Sequence, residues 1–584
     1  MRKGKGFIYN SIKGIHLMFQ YELKVLLLQI FYSFLHGLSW AMQVMFTQRF
    51  FDSAQRLAQK KVNMTSTIMA LFCMIGSYMF CQIMNGAANC HGNILSLAIA
   101  KHTNLSIFSH IDELDCIEFE DPGRLDYINK AQNGSENLVW VGLTLIDTVF
   151  FYFTYFAFMG MYLFTLKPIL SISILAVFIP CLFSNIIQIK TFRNLDNLSA
   201  PVRRECEYYE ACASDVRETR LWGATNHFKK LFDSSLEKLN ILILRAQMRK
   251  SVVSFLVDSL TVIGYGVILY MIFVLVLRQE ITVGAFAAVL SSIDRIFSFM
   301  SEVISERIGW AAENVGALEN YISFISEDTG DKSKKNTCGQ ADIVLRGVCF
   351  KYPTSKKYAL KDVNLTIPKG QTLAIVGENG SGKSTLCRLL LGLYKPEKGQ
   401  ISIGDIPMKQ VSNNNWSAIF QNYRRYKMTL KDNIAISDRK RKVGDTGLPD
   451  VCEKAGIVID DGKFTEGMDT MLGREFDGAE LSGGQWQRVA VARGIYRPYD
   501  FIVLDEPTSA IDPLEETRLY NEFVNICEGK TAVIVTHRLG SVRTADSIVV
   551  MKDGIVVEHG KHKELMERNG EYKRMYEMQS QWYT

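Results

Sequence analysis

Long, uninterrupted apolar runs crowd residues 25 to 300, whereas residues 342 to 584 alternate short apolar runs with polar stretches. Crossing about 30 Å of hydrocarbon takes roughly 20 mostly apolar helical residues, so runs of that length predict membrane helices. Six runs qualify, namely Val25–Phe46, about Ile68 to Asn85, Leu138–Leu166, Ile169–Ile189, Val252–Leu277 and Ile281 to about Phe299. The second run loses its hydrophobicity near Asn85, which predicts a helix that continues beyond the bilayer.

The connections between the runs indicate how the chain crosses the membrane. Lys167-Pro168 and Arg278-Gln-Glu280 predict two tight turns on one face, and the long polar stretches 95–137 and 190–250 lie on the other. The second stretch is rich in Lys and Arg, so the positive-inside rule predicts that it and both termini are cytoplasmic. The first outer loop, with Arg49, Arg56, Lys60 and Lys61, runs against that rule. The parity of six helices and the polar C-terminal half decide the topology.

Composition narrows the class of protein further. Apolar residues make up 48% of the 584 and charged residues 22%, which excludes a disordered chain. The net charge of +5 comes with no basic stripe interleaved with aromatics, so no nucleic-acid partner is expected. The 12 cysteines form no C-x-x-C pair, which argues against a zinc site or a disulfide framework and suits a reducing cytosol.

The second half of the chain has the pattern of an α/β domain. Glu302–Ser326 keeps a helical rhythm, and residues 327–341 are nearly all polar, which predicts a linker. Beyond it, Leu373–Val376, Phe501–Leu504 and Ala532–Val535 are continuous apolar runs, typical of buried parallel strands. We therefore expect a mostly parallel sheet with helices on its faces.

The first of these strands runs into a glycine-rich loop and then a helix. The loop, Gly377-Glu-Asn379-Gly380-Ser381-Gly382-Lys383-Ser384-Thr385, matches the pattern G-x-x-x-x-G-K-[ST]. Its glycines let backbone N–H groups wrap a phosphate at the helix N-terminus. Lys383 then reaches the β- and γ-phosphates, and Ser384 offers its hydroxyl to Mg²⁺. The sequence thus predicts a nucleotide site.

Two further motifs belong with a phosphate loop. Phe501–Leu504 ends in Asp505, which can hold Mg²⁺, and Glu506, which can orient or deprotonate the attacking water. The pentapeptide Leu481-Ser482-Gly483-Gly484-Gln485 precedes another predicted helix, Trp486–Gly494, so it can present N–H groups and a hydroxyl to an anion.

With this pentapeptide, the chain resembles an ATP-binding cassette (ABC) transporter of the exporter type, and the resemblance covers essentially its whole length. It implies an α-helical membrane domain of six helices in the type I exporter arrangement, over residues 1–326. After the linker, it implies an α/β P-loop NTPase domain with the helical subdomain of ABC proteins, over residues 342–584. ATP and Mg²⁺ are the implied cofactors.

The resemblance also implies roles for four more residues. Tyr352 matches the aromatic that stacks on adenine, and Gln421 the glutamine that meets Mg²⁺ and the attacking water. His537 matches the histidine that contacts the γ-phosphate, and Asp512 the loop after the second acid, although Ile511 stands where Leu is usual. The expected catalytic residues are then Glu506, His537 and Gln421, and the expected Mg²⁺ ligands are Ser384, Gln421 and Asp505. The expected ATP ligands are Tyr352, Gly377, Asn379, Gly380, Ser381, Gly382, Lys383, Ser384, Thr385, Ser482, Gly483, Gly484, Gln485 and Asp512.

Two membrane-half segments resemble the loops that rest on the nucleotide domains of such exporters. They are Phe119-Glu-Asp-Pro122 and Glu218-Thr-Arg-Leu-Trp222-Gly223, both in the connections already assigned to the cytoplasm. The resemblance further implies head-to-tail packing of two cassettes, with Ser482 and Gly484 of one covering the ATP held by Lys383 of the other. Because Lys383, Glu506, the pentapeptide and His537 are all intact, a homodimer is expected, and a heterodimer stays open.

The expected function is ATP-driven export of a peptide or other amphipathic compound across the cytoplasmic membrane. A lipid flippase has the same motifs and is the closest alternative, and a drug-like cargo is open as well. A third alternative is an ATP-gated channel or regulator, which the intact Glu506 disfavours. Ionisable residues in the apolar runs are candidates for cargo contact because charge in hydrocarbon is costly. They are His36, Asp147, Asp258, Asp294 and Arg295. Helices that extend into the cytoplasm would bring some of them near water, and Asp294 and Arg295 can pair with neighbours, so none is assigned a site role.

Overall fold

The structure is a computed structural model that describes residues 7–173, 195, 198–199, 201–214, 216–303, 307, 309–328, 340–412, 415–438, 440–441, 447–459, 462–506, 523, 527–537 and 539–580. Two compact units divide the chain: Met1–Glu113 with Asp126–Asp328, and Leu114–Leu125 with Thr329–Thr584. A short segment from the first half of the sequence thus belongs to the second unit. Most of the predicted linker, 327–341, and of the predicted run Ile169–Ile189 lies outside the described residues.

The described part of the first unit is helical and most of its helices are long. The helices are α1 (Phe7–Ala58), α2 (Met64–Glu113), α3 (Pro122–Ile146), α4 (Phe153–Leu166), α5 (Val216–Leu221), α6 (Thr225–Leu277), α7 (Val283–Ser301) and α8 (Gly309–Ile325). Of these, α3 begins within the Leu114–Leu125 segment of the second unit. A π-helical turn, Asp147–Tyr152, joins α3 to α4. The 50 residues of α2 rise about 75 Å at 1.5 Å each, far more than a bilayer needs. The prediction that this helix continues past its apolar run is confirmed.

Several of these helices can cross a membrane. Among the described residues, four stretches are long and apolar enough: Tyr9–Ala58, Met64–Glu113, Pro122–Leu166 and Val283–Ser301. A shorter apolar stretch, Val262–Leu277, forms the end of α6. Each of these five stretches overlaps one of the six predicted runs, with bounds that differ. The two predicted tight turns meet, since Lys167 Nζ lies 2.6 Å from Glu280 Oε2.

Small residues let these helices approach closely. A Cβ on Gly134 of α3 would lie 2.1 Å from the carbonyl oxygen of Ala317 on α8. A Cβ on Gly37 of α1 would lie 2.4 Å from the carbonyl oxygen of Phe151, in the π-helical turn. Helices in apolar surroundings gain packing contacts from such close approach, which only glycine permits here.

The second unit contains two sheets. A six-stranded sheet has the order β10-β9-β3-β8-β7-β6, in which all neighbours are parallel except β10 and β9. Its strands are β3 (Thr372–Gly377), β6 (Trp416–Ile419), β7 (Phe501–Asp505), β8 (Thr531–Val535), β9 (Ser547–Lys552) and β10 (Ile555–Gly560). The antiparallel sheet β2-β1-β4-β5 comprises Ile343–Phe350, Leu360–Ile367, Lys398–Ile403 and Ile406–Pro407, for β1, β2, β4 and β5 respectively. The predicted α/β fold with a mostly parallel sheet is confirmed.

Helices surround the sheets of this unit. They are α9 (Lys383–Leu390), α10 (Leu430–Ala435), α11 (Gly447–Lys454), α12 (Gly483–Tyr496), α13 (His562–Glu567) and α14 (Glu571–Ser580). Every residue of β3, β7 and β8 is buried, as the continuous apolar runs predicted. Because these strands are parallel neighbours, their carboxyl ends share one edge, and the loops that follow them meet there.

Candidate active site

The phosphate loop has a backbone that only glycine can adopt at two positions. Gly377 has φ 154°, and a Cβ there would lie 2.3 Å from the carbonyl oxygen of Met551. Gly382 has φ 102°, and a Cβ there would lie 2.8 Å from the carbonyl oxygen of Ala359. The loop is therefore pressed against β9 and the start of β2, with its N–H groups leading into α9.

Two polar side chains of the loop suit an anion. Lys383 Nζ donates to the carbonyl oxygens of Gly377 and Glu378, both at 2.9 Å. Burial lowers the pKa of Lys383, and a bound anion would favour its charged form. The hydroxyl of Ser381 is buried with no hydrogen-bond partner among the described residues. A phosphate oxygen would satisfy it, so the loop fits the polyphosphate of a nucleotide.

Ser384 and Asp505 lie together at the head of α9 and the end of β7. Ser384 Oγ donates to Asp505 Oδ1 at 3.2 Å, and Asp505 is 5% exposed. Burial raises the pKa of Asp505, which opposes its charged form. A cation beside this carboxylate would restore the charge. A hydroxyl and a carboxylate are hard oxygen donors of the kind that Mg²⁺ takes.

The side chain of Glu506 contacts two side chains from the loops that follow β6 and β8. Gln421, which follows β6, donates from Nε2 to Glu506 Oε2 at 2.8 Å. His537, which follows β8, has Nδ1 3.3 Å from Glu506 Oε1. The backbone of Glu506 has φ 48°, a left-handed conformation that costs a non-glycine residue free energy and is common at functional sites. Of the three residues predicted as catalytic, Gln421 and His537 thus both contact Glu506.

A cavity of about 1130 Å³ gathers most of the predicted site. Eleven predicted residues line it, namely Tyr352, Gly377, Asn379, Gly380, Gly382, Lys383, Ser384, Thr385, Gln421, Glu506 and His537. Asp505 lies behind Ser384, and Asp512 lies outside the described residues. Ser482, Gly483, Gly484 and Gln485 are not among the described residues that line this cavity.

The pentapeptide instead begins α12. Ser482 Oγ accepts from the Gln485 N–H at 3.3 Å, and Gln485 Oε1 accepts from the Ser482 N–H at 3.0 Å. This reciprocal pair is a capping box, and Tyr423 supports it by donating to the Gly483 carbonyl oxygen at 2.9 Å. A rigid, capped helix start of this kind is suited to contact an anion from another direction.

One wall of the cavity was missed by sequence reasoning. Arg574, Met575, Met578 and Gln579 of α14 line it, and Arg574 Nη2 lies 3.1 Å from Glu378 Oε1 of the phosphate loop. The side-chain amide of Gln579 makes two hydrogen bonds to the backbone. Its Nε2 donates to the His537 carbonyl oxygen, and its Oε1 accepts from the Leu539 N–H at 2.8 Å. The sequence shows only helical periodicity here, which carries no information on these tertiary contacts.

A hydrogen-bond chain joins the cavity to Leu114–Leu125. Tyr352 OH lies 3.0 Å from Thr385 Oγ1, and Arg388 Nη1 donates to Tyr352 OH at 3.3 Å. The same Nη1 lies 3.2 Å from Glu120 Oε1, which also accepts from Tyr394 OH. Of the two segments predicted to rest on nucleotide domains, the first therefore packs with this unit.

The second of those segments forms α5 and the turn after it, within the helical unit. Leu221 is 80% exposed and Trp222 71% exposed, so this tip presents apolar surface to solvent. Its predicted role at a nucleotide domain stays a prediction.

ABC transporters are defined by a set of features that this chain shows. They are a phosphate loop, an acid pair after a parallel strand, a capped Ser-Gly-Gly helix and membrane helices. The family model described as "ABC transporter" matches residues 360–509. The nisin transport ATP-binding protein NisT of Lactococcus lactis is 32% identical over 307 residues, which are 51% of each chain. The chain thus aligns with about half the length of that relative.

Other relatives align over more of the chain. The subtilin transport ATP-binding protein SpaT of Bacillus subtilis is 25% identical over 585 aligned residues, covering 97% of this chain and 94% of SpaT. The ATP-dependent lipid A-core flippase of Escherichia coli K12 is 26% identical over 458 residues, covering 77% and 76%. An ATP-bound bacterial Atm1-family ABC exporter matches in structure with a TM-score of 0.72, covering 95% of this chain and 98% of that one at 17% identity.

Residues 360–509 therefore match the ABC transporter family and form an ATP-binding domain. The chain is an integral membrane protein with the fold of an ABC exporter.

Proposed function

We propose that this protein uses ATP binding and hydrolysis to export an amphipathic compound, foremost a peptide, out of the cytoplasm. This proposal rests on one observation. The cavity described above is lined together by Lys383, Ser384, Gln421, Glu506 and His537. Peptide cargo is favoured because two of the aligned relatives are named for transport of nisin and subtilin.

Each side chain of the site has a proposed task. Lys383, Ser381 and the loop N–H groups hold the phosphates, and Tyr352 stacks on adenine. Ser384, Asp505 and Gln421 would hold Mg²⁺, which supplies positive charge against the developing charge of phosphoryl transfer. Glu506 takes the proton of the attacking water, since its Oε2 is positioned by Gln421.

His537 and Asp512 complete the proposed site. His537 fixes the other oxygen of Glu506 and is partly exposed, so it can also reach a terminal phosphate. Asp512 is assigned to the nucleotide site on the family resemblance alone, since it lies outside the described residues.

The functional unit we propose is a dimer of this chain. The capped start of α12, with Ser482, Gly483, Gly484 and Gln485, does not line the cavity of its own chain among the described residues. In a head-to-tail pair, this N-terminus would cover the phosphates held by the other copy. Lys383, Glu506, the pentapeptide and His537 are all intact in this chain, so two copies give two competent sites, which favours a homodimer over a heterodimer.

Coupling would pass through Leu114–Leu125 and the α5 tip. Leu114–Leu125 contacts the cassette through Glu120 and is continuous in sequence with the apolar helices α2 and α3. ATP drives the change of state by binding the closed cassettes better than the open ones, and loss of the γ-phosphate removes that difference.

We place the protein in the cytoplasmic membrane with both termini and the cassette in the cytoplasm, on the Lys- and Arg-rich connection 190–250. We assign residues 1–326 to the membrane domain, 327–341 to a linker and 342–584 to the cassette. The packing of Leu114–Leu125 with the second unit supports its assignment as a docking segment of the membrane domain.

A lipid flippase is the second candidate. It is favoured by the alignment with the lipid A-core flippase, which covers 77% of this chain. The two candidates share the cassette chemistry and differ only in the compound that the membrane helices accept.

The proposal is tested by ATP hydrolysis of the purified protein in lipid nanodiscs. The panel contains peptides, lipids and lipophilic cations, with Glu506→Gln as the blank. Because the amide cannot take a proton from water, we expect the variant to bind ATP and turn over at least ~100-fold more slowly. Peptides should stimulate the unaltered protein. Stimulation by lipids alone would favour the flippase, and near-normal turnover of Glu506→Gln would overturn the role of Glu506.

A further inference from the structure

One cluster of charged side chains in the helical unit is fully paired within the chain. Arg307 Nη1 lies 3.1 Å from Asp147 Oδ2, and its Nε lies 3.0 Å from Glu302 Oε1. Ser33 Oγ donates to the other oxygen of Asp147 at 2.9 Å. The cation and both acids are therefore partnered within the chain, which is the arrangement expected of a structural ion pair in apolar surroundings.

Arg295, on α7, has a different environment. Its Cζ lies 3.7 Å from the centre of the Trp40 ring, and its Nη1 donates to Gln43 Oε1 at 3.2 Å. Gln43 is 2% exposed, and both partners lie on α1. No carboxylate of the described residues pairs with Arg295. The adjacent Asp294 is exposed, and neighbouring residues on a helix do not face each other.

The surroundings of Arg295 are aromatic and include a buried hydroxyl without a hydrogen-bond partner among the described residues. Phe299 makes edge contacts with Trp40, at 5.9 Å between ring centres, and with Tyr155, at 5.0 Å. Tyr155 is 0% exposed, and its hydroxyl has no hydrogen-bond partner in the described structure. The Trp40 indole N–H donates to His36 Nε2 at 3.0 Å. A cation without an acid and a hydroxyl without a partner lie in one aromatic cluster.

A bound anion would provide a partner for both the Arg295 cation and the Tyr155 hydroxyl. An ionised side chain in apolar surroundings and a buried hydroxyl without a partner are both costly, so such groups mark sites where a ligand supplies the missing partner. The guanidinium is a planar fork that matches a carboxylate geometrically. The described cluster carries one positive charge, which balances one carboxylate, whereas a phosphate monoester brings about −1.5 to −2.

We propose that Arg295, with Gln43 and Tyr155, binds a carboxylate of the cargo, and that Trp40 and Phe299 pack against apolar side chains beside it. The cargo is then an amphipathic peptide with a free carboxylate. This inference deepens the proposed export of peptides and rests on it.

The test compares two forms of one short amphipathic peptide, with an acetylated N-terminus and no Asp or Glu. One form ends in a carboxylate and the other in an amide. Binding is measured by fluorescence anisotropy on the full chain in nanodiscs, and ATP hydrolysis is followed in parallel. For the unaltered protein we expect the acid to bind at least about tenfold more tightly, because hydrogen bonds to charged groups are the strong ones.

Variants locate the origin of that preference. Arg295→Gln should remove the difference between acid and amide, and Arg295→Lys should keep part of it, since a lysine retains the charge without the fork. Arg49→Gln removes a cation from an exposed position of α1, the helix that carries Trp40, and should leave the preference intact.

The outcomes separate this inference from the proposed function. Equal binding of acid and amide by the unaltered protein would overturn the Arg295 site while leaving peptide export standing, and that comparison needs no variant. A preference that survives in Arg295→Gln would also overturn the site. Binding of dodecyl phosphate but of neither peptide would overturn both the carboxylate site and the peptide cargo.

Discussion

Glu506 shows how a single residue's position is set by its neighbours. It follows β7 directly, and its backbone N–H donates to the Val535 carbonyl of β8 at 3.0 Å. A φ of 48° costs a non-glycine residue on the order of 1–3 kcal/mol, so surrounding structure imposes this conformation. Gln421 and His537 each take one carboxylate oxygen. The acid is held by both its backbone and its side chain before any substrate arrives.

Gln579 is expected to position His537 through the backbone. Gln579→Ala removes the amide that bonds both the His537 carbonyl and the Leu539 N–H, so the histidine loses its anchor. We expect turnover to fall roughly tenfold with little change in KM for ATP, because small misplacements at a reacting centre act on kcat. Steady-state ATPase kinetics measure the split.

The matched control for Gln579 is Lys573→Ala, on the same helix but outside the cavity wall. A rise in KM with kcat unchanged in Gln579→Ala, or an equal loss in Lys573→Ala, would contradict the positioning role.

At the scale of elements, helix packing depends on close approach. Gly134→Ala places a Cβ about 2.1 Å from the Ala317 carbonyl oxygen, so α3 and α8 must separate. Overpacking of this kind costs about 1–3 kcal/mol. Gly160→Ala, on α4, meets nothing within 4 Å and should be neutral or stabilising, because alanine favours the helix. Thermal unfolding in detergent should show a lower midpoint only for Gly134→Ala; equal midpoints would contradict the close packing.

The segment Leu114–Leu125 is expected to carry coupling through one contact. Glu120→Ala breaks the bonds to Arg388 and Tyr394, which lead to Tyr352 at the nucleotide cavity. We expect basal ATP hydrolysis to change less than about twofold while stimulation by cargo is lost, because the proposed coupling between cargo and nucleotide sites passes through this contact. Hydrolysis is measured with and without the stimulating peptide.

The control for Glu120 is Lys395→Ala, which removes the ion pair with Asp115 on the same segment. Those side chains are 68% and 53% exposed, and exposed pairs contribute little. Loss of stimulation in Lys395→Ala, or full stimulation in Glu120→Ala, would contradict the assignment.

Elements with a local signature were predictable from sequence, and contacts made by tertiary packing were not. Thr372–Gly377 and Phe501–Asp505 have continuous apolar runs and motif residues at their ends, so the parallel sheet and the edge that carries the phosphate loop and Asp505 were expected. In the antiparallel sheet around β1, bulges make the alternation of buried and exposed positions irregular. The sequence pattern therefore did not predict this sheet. The cavity wall formed by α14 depends on how this helix packs against the phosphate loop and the residues around His537. No short sequence motif encodes that packing.

At the scale of the whole molecule, the proposed head-to-tail dimer, in which each site combines residues of two chains, predicts that two inactive chains complement each other. Lys383→Ala and Gly484→Asp should each abolish hydrolysis in a homodimer. In a mixed dimer of one chain of each kind, both changes fall on one site and the other site is intact, so roughly half of the activity returns. Differently tagged chains, co-expressed and purified through both tags, provide the measurement. Inactive mixed dimers would place the whole site within one chain and contradict the head-to-tail arrangement.

The central claim is that ATP turnover at this site moves a compound across the membrane. The most direct test is uptake of the stimulating peptide, fluorescently labelled, into proteoliposomes whose outward-facing cassettes receive Mg²⁺ and ATP. The account predicts ATP-dependent accumulation by the unaltered protein and none by Glu506→Gln, which binds ATP without turning it over. Hydrolysis with no accumulation of the peptide, or equal accumulation by both proteins, would contradict it.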